Sequence, residues 1–116
     1  MENVRLSFGQ VVWAKVTRDD GLGEKARPCI VLEDDGEFLR VLAGSSQLAT
    51  PGSLVPGEFL VIKPNEMAEM QLTVPTRFSW KAGGEKTIQR VGMLLGITPN
   101  SVLGEAFRAA KLIDKK

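Results

Sequence analysis

The feature that most constrains this chain is its rhythm. Short runs rich in β-branched and aromatic residues recur between turn signals, and only the last stretch carries a helical period. Gln10-Val11-Val12-Trp13-Ala14-Lys15-Val16 roughly alternates, and the polar Thr17-Arg18-Asp19-Asp20-Gly21 closes it. Pro28-Cys29-Ile30-Val31-Leu32 is a continuous apolar run, and Asp34-Asp35-Gly36 after it suits a tight turn into Glu37-Phe38-Leu39-Arg40-Val41-Leu42. Those two runs are expected to pair. A long polar stretch with Gly and Pro, Gly44 to Gly57, precedes a further strand at Glu58 to Ile62. Met70 to Val74 leads into Pro75, then Thr76 to Trp80 alternates again, and Thr87 to Leu94 reads as one final strand. At the end, Thr98 can cap a helix with Pro99 at its first position. Val102, Leu103, Ala106, Phe107, Ala110 and Ile113 then form its apolar stripe. The expected fold is mainly β, a small antiparallel barrel with a single C-terminal α-helix packed on it. With 116 residues and no internal repeat, 1–116 reads as a single domain.

Composition matters mainly for what chemistry it removes. Fifteen Lys and Arg against fourteen Asp and Glu leave a net charge of +1, so no overall field holds a polyanion and any nucleic-acid contact must be local. There is no histidine, no tyrosine and one cysteine. A Cys/His zinc site, a histidine-based triad, a histidine acid/base pair and an intramolecular disulfide are therefore excluded. No metal and no cofactor is expected, and chemistry falls to carboxylates, Arg, Lys, Ser, Thr or backbone groups. No apolar run approaches the roughly 20 residues that span a bilayer, and MENVRLSF lacks the pattern of a signal peptide. A soluble cytoplasmic protein is the expectation.

Two segments carry candidate chemistry. Gly21-Leu22-Gly23-Glu24-Lys25-Ala26-Arg27-Pro28 reads as a flexible loop ending in an arginine just before a buried strand. The residue before a proline is biased to an extended backbone, so the Arg27 guanidinium would project from the sheet rim and could fork a phosphate. The alternative is an ion pair with Glu24 or another carboxylate. In Ala43-Gly44-Ser45-Ser46-Gln47, hydroxyls and backbone N–H groups at a strand end could hold a phosphoryl oxygen, although the same residue types are ordinary in loops. Trp13, Phe78 and Trp80 read as core or as base-stacking surfaces, the last two with Arg77 and Lys81 adjacent. Cys29 reads as an inert buried thiol, and Met67, Met70 and Met93 as gap-filling apolar residues.

The order Gly9-Gln10-Val11-Val12-Trp13, then Gly23-Glu24-Lys25-Ala26-Arg27-Pro28-Cys29-Ile30-Val31-Leu32, then Ser45-Ser46-Gln47, resembles the opening of the PemK/MazF family of bacterial toxins. The similarity continues through Leu72-Thr73-Val74-Pro75-Thr76-Arg77 and the Ile88 to Gly92 strand before the C-terminal helix. Gln10 stands where the family carries Asp, and no carboxylate follows Arg77 where some members have an Arg-x-Asp pair. The resemblance implies an SH3-like barrel that forms a homodimer, cleaves single-stranded RNA without metal, and is neutralised by a cognate antitoxin protein. On that basis Arg27 would stabilise the anionic phosphorane, Ser45 would bind or orient the scissile phosphate, and Glu24 would move a proton or hold Arg27. Lys25, Ser46, Gln47 and Arg77 would contact RNA. The competing expectation is a non-catalytic SH3-like binding module, either a toxin fold that binds protein or a PWWP-like reader. Val11 to Val16 resembles the first strand of PWWP domains, but the Pro-Trp-Trp-Pro region is missing, and two Trp, five Phe and no Tyr make a methyl-lysine cage hard to assemble.

Overall fold

Alternation in the first two strands sets up two hydrophobic layers, one on each face of the same sheet. The computed structural model describes residues 5–17, 22–47, 49–80, 85–89 and 94–114. β1 (Gln10–Thr17), β2 (Glu24–Asp34) and β3 (Phe38–Ser45) form an antiparallel ladder in which Val12 faces Cys29 and Val31 faces Val41. Because residues directly opposite share a face, Val12, Ala14, Val16, Cys29, Val31, Leu39, Val41 and Ala43 form one buried cluster. The other face presents Val11, Ile30 and Leu42 to a second cluster.

The expected pairing of β2 with β3 is present, and its turn explains the Asp-Asp-Gly sequence. Asp34 Oδ1 accepts the Gly36 N–H at 2.9 Å and Oδ2 accepts the Leu6 N–H at 2.7 Å. Asp35 Oδ1 accepts the N–H groups of Glu37 and Phe38, and those bonds hold its carboxyl below the usual carboxylate range. Gly36 turns with φ +96°, a backbone that L side chains rarely adopt.

After the 3-10 turn Pro51–Ser53 come β4 (Glu58–Val61), α1 (Pro64–Met70) and β5 (Thr76–Ser79), with β4 and β5 paired. Helix α1 departs from the sequence expectation of a single helix. Pro64 at its first turn pre-sets φ, but seven residues are too few to display a helical stripe. Met70 is fully buried, and it enters the second cluster from a helix end rather than from an extended segment. Phe59 and Phe78 stack there, with centroids 5.6 Å apart.

The expected final strand is divided. β6 (Glu85–Gln89) pairs with β3, and β7 (Leu94–Ile97) pairs with β1 on the opposite side of the ladder. Residues 90–93 of that reading, Met93 among them, lie outside the described residues. With β6 on β3 and β7 on β1, the antiparallel sheet curls into a half-barrel. The mainly β, antiparallel, curled sheet with a C-terminal helix is thus as expected.

That helix, α2 (Asn100–Asp114), buries Val102, Ala106 and Ala109 on the second cluster, an i, i+4, i+7 row. Phe107 departs from the expected stripe: it is 50% exposed and stacks on Phe8 at 5.8 Å. Thr98 does not cap the helix. Its N–H donates to the Gly9 carbonyl at 2.8 Å, which holds it at the strand end, and its buried Oγ1 finds no protein partner. Pro99 takes the cap position, its carbonyl accepting from Val102 and Leu103. Trp80 Nε1 donates to the Ala106 carbonyl and Ser101 Oγ to Glu66, tying α2 to β5 and to α1. Among the described residues no helix is long and apolar enough to cross a membrane.

Candidate functional site

The site originates where two strands separate. The β2–β3 ladder runs as far as Cys29 opposite Ala43, and at the next residue, Gly44, β3 leaves β2 and pairs with β5. Gly44 is required at this point by close approach. A methyl group there would lie 2.6 Å from Thr76 Cγ2 and 2.8 Å from Phe78 Cε1, so any side chain would push β5 away. Beyond the fork, Lys25 to Pro28 keep β1 on one side and border a cavity of about 400 Å³ on the other. The end of β3 (Gly44 to Ser46) and the segment Gln71 to Thr76 complete its walls, with Trp13 behind Pro28.

Arg27 continues the row of Val31 and Cys29 on the inner face of the sheet, so it emerges at the end of the first hydrophobic cluster. Its Nη1 donates to the Gly44 carbonyl at 3.3 Å, spanning the fork. Its Nε is buried and has no hydrogen-bond partner. No carboxylate of the described residues pairs with it. A half-buried guanidinium that borders a cavity and carries an orphaned donor is the arrangement that an oxyanion completes.

Four of the seven sequence-derived candidates meet in this cavity: Lys25, Arg27, Ser45 and Ser46. The other three do not. Glu24 is exposed near the start of β2 and, three residues from Arg27 along a strand, points to the opposite face. The alternative ion pair of Arg27 with Glu24 is not made. Gln47 is exposed, and its carbonyl accepts the Arg77 Nε at 3.2 Å. Arg77 also donates from Nη1 to Glu58 at 2.7 Å in a largely buried ion pair, so its fork is spent on holding the connection after β3. Arg77, expected to contact RNA, is not among the residues that border the cavity. The segment read as a flexible Gly21 to Arg27 loop is strand from Glu24 onward. Gly21 lies outside the described residues.

Sequence reasoning left Trp13 between core and a stacking surface, and the Gln71 to Thr76 part of the wall unassigned. Trp13 is exposed and lines the cavity rather than packing in the core; the signal was its phase, opposite to that of Val12, Ala14 and Val16. Gln71 to Val74 and Thr76 had no local signal, because α1 and β5 bring them there. Trp80 and Phe78, the other stacking candidates, are spent on α2 and on Phe59. Cys29 is the inert thiol expected: burial pushes it up to about 12, against the opposing pull of nearby Arg27 and Lys86. Among the described residues no three His, Cys, Asp or Glu side chains gather as a metal ion would require. Comparison of the chain with known protein families and with curated proteins finds no match.

Proposed function

We propose that this chain is a PemK/MazF-type toxin, an SH3-like barrel that binds single-stranded RNA with a backbone phosphate in the Arg27 cavity and cleaves it. The observation that carries the reading is Arg27, which borders a cavity together with Lys25, Ser45 and Ser46 and whose buried Nε has no hydrogen-bond partner. In this scheme the ribose 2′-oxygen attacks the adjacent phosphorus. A bond forms from O2′ to phosphorus and the bond from phosphorus to O5′ breaks, leaving a 2′,3′-cyclic phosphate and a 5′-hydroxyl. Arg27 neutralises the charge that builds on the non-bridging oxygens, in a recess where the guanidinium is partly shielded from water. The Ser45 and Ser46 hydroxyls orient the phosphate. The proton leaving O2′ goes to solvent, and O5′ takes one back from solvent, since Glu24 lies outside the cavity wall. The scheme uses no metal. A homodimer in the cytoplasm, held in check by an antitoxin protein that competes with RNA for the cavity, completes the proposal.

One observation favours a second reading. Among the described residues no carboxylate lines the cavity, so what they offer a phosphate is two cations, Lys25 and Arg27, and hydroxyls, without a carboxylate base. A non-catalytic module that holds RNA needs only those cations and hydroxyls. Incubation of the purified chain with a long single-stranded RNA in excess chelator, followed by mapping of ends, separates the two. Discrete cuts bearing cyclic phosphates, lost in Arg27→Ala, are the expected result. Binding without cuts would establish the second reading, and neither binding nor cuts would remove both.

A further inference from the structure

Two residues of the cavity wall play no part in holding a phosphate, and each departs from what stability alone favours. Trp13 is 44% exposed on a strand whose neighbours Val12 and Ala14 are buried. Gln71 holds φ +60° and ψ +39°, the only left-handed backbone outside glycine among the described residues. It terminates α1, a position where glycine adopts that conformation without strain. Strain retained at a cavity wall points to the side chain being needed there. Gln71 Nε2 donates to the Ala68 carbonyl at 3.2 Å, which fixes the amide and leaves its oxygen available as an acceptor.

We infer that the cavity, which wraps the edge of β2 freed where β3 departs, is a nucleotide subsite: a base stacks on Trp13 on one face of that edge, the Gln71 amide reads the base's edge, and the attached phosphate reaches Arg27 on the other face. This rests on the RNA reading of the same cavity and specifies what it recognises. A volume of about 400 Å³ falls within the range of small-ligand sites, and Pro28, opposite Trp13, and Leu72 add apolar wall. Stacking on an aromatic ring is tolerant of base identity, because every base has a π-face. Discrimination therefore falls to Gln71, whose amide offers both a donor and an acceptor to the exposed edge of an unstacked base.

The test is calorimetric titration of the full chain with the nucleoside 3′-monophosphates and with base-free ribose phosphate. The nucleotides are expected to bind about 5- to 150-fold more tightly than ribose phosphate, the gain that one stacked base supplies. Trp13→Ala removes that gain and leaves ribose phosphate binding intact, while Trp13→Phe retains most of it. Gln71→Gly melts no lower than the parent, since it relieves the left-handed strain, yet it erases the ranking among the bases. Ribose phosphate binding as tightly as the nucleotides, with Arg27→Ala abolishing both, would overturn the subsite while leaving the phosphate site in place. No binding of any of these ligands would overturn the subsite together with the RNA reading.

Discussion

The two ends of β2 lie on one strand and differ in how their polar groups are used. At the Asp34 end, both Asp34 oxygens and one Asp35 oxygen accept backbone N–H groups, and Arg40 sits between Glu33 and Glu85. At the other end, Arg27 makes one long bond to a carbonyl and keeps a buried donor unpaired beside a cavity. The first pattern is what a turn needs in order to form. The second contributes nothing to folding that an apolar side chain could not supply, because an unsatisfied buried donor costs about 1–3 kcal/mol. The difference separates the structural arginine from the one available to a ligand. Arg77 sharpens the lesson: it lies on the strand next to Ser45, yet its pairing with Glu58 places it with Arg40.

The largest expected effect comes from closing the fork. Gly44→Val places methyl groups inside Thr76 and Phe78, and overpacking of this kind costs about 3 kcal/mol. The expected outcome is a drop of roughly 10 °C in Tm by calorimetry, with loss of RNA binding. An unchanged Tm would show that β3 and β5 are not wedged as closely as the Gly44 contacts require.

A smaller effect probes the boundary between the dry row and the open end, two residues from Arg27. The Cys29 thiol is pushed by burial to about 12 from an ordinary 9.0, so the unfolded chain loses its proton first as pH rises. The folded state is favoured fully below pH 9.0, and that contribution is lost between 9.0 and about 12. Within that window the loss is about 1.4 kcal/mol per pH unit. Urea unfolding of the parent is therefore expected to weaken more steeply above pH 9.0 than that of Cys29→Ala. Parallel slopes would mean that water reaches the thiol and the boundary lies deeper than Cys29.

Much of this architecture was legible because it is local. The Asp34-Asp35-Gly36 turn, the apolar run from Cys29 to Val31 and the α2 row around Val102 each carry their own signal. Arg27 was legible too, since a cation just before a buried run must either pair or wait. What was not legible depends on strands meeting. Glu24 to Arg27 looked like loop because polar residues hide a strand once one neighbour has left it. The division of the last strand, the burial of Arg77 against Glu58 and the arrival of Gln71 in the same cavity wall as Trp13 are set by pairing between segments far apart in the chain. Helix α1 was missed for a different reason, its shortness.

The central claim is that Arg27, and not Arg77, receives the phosphate. It is tested most directly by the affinity of a 2′-O-methylated single-stranded RNA, which cannot be cleaved, for Arg27→Ala and Arg77→Ala side by side. Arg27→Ala is expected to lose at least about tenfold in affinity with its melting temperature unchanged or raised, the loss of one charge-assisted phosphate contact. Arg77→Ala is expected to melt lower with a smaller change in affinity. Equal RNA affinity for Arg27→Ala and the parent would contradict the account.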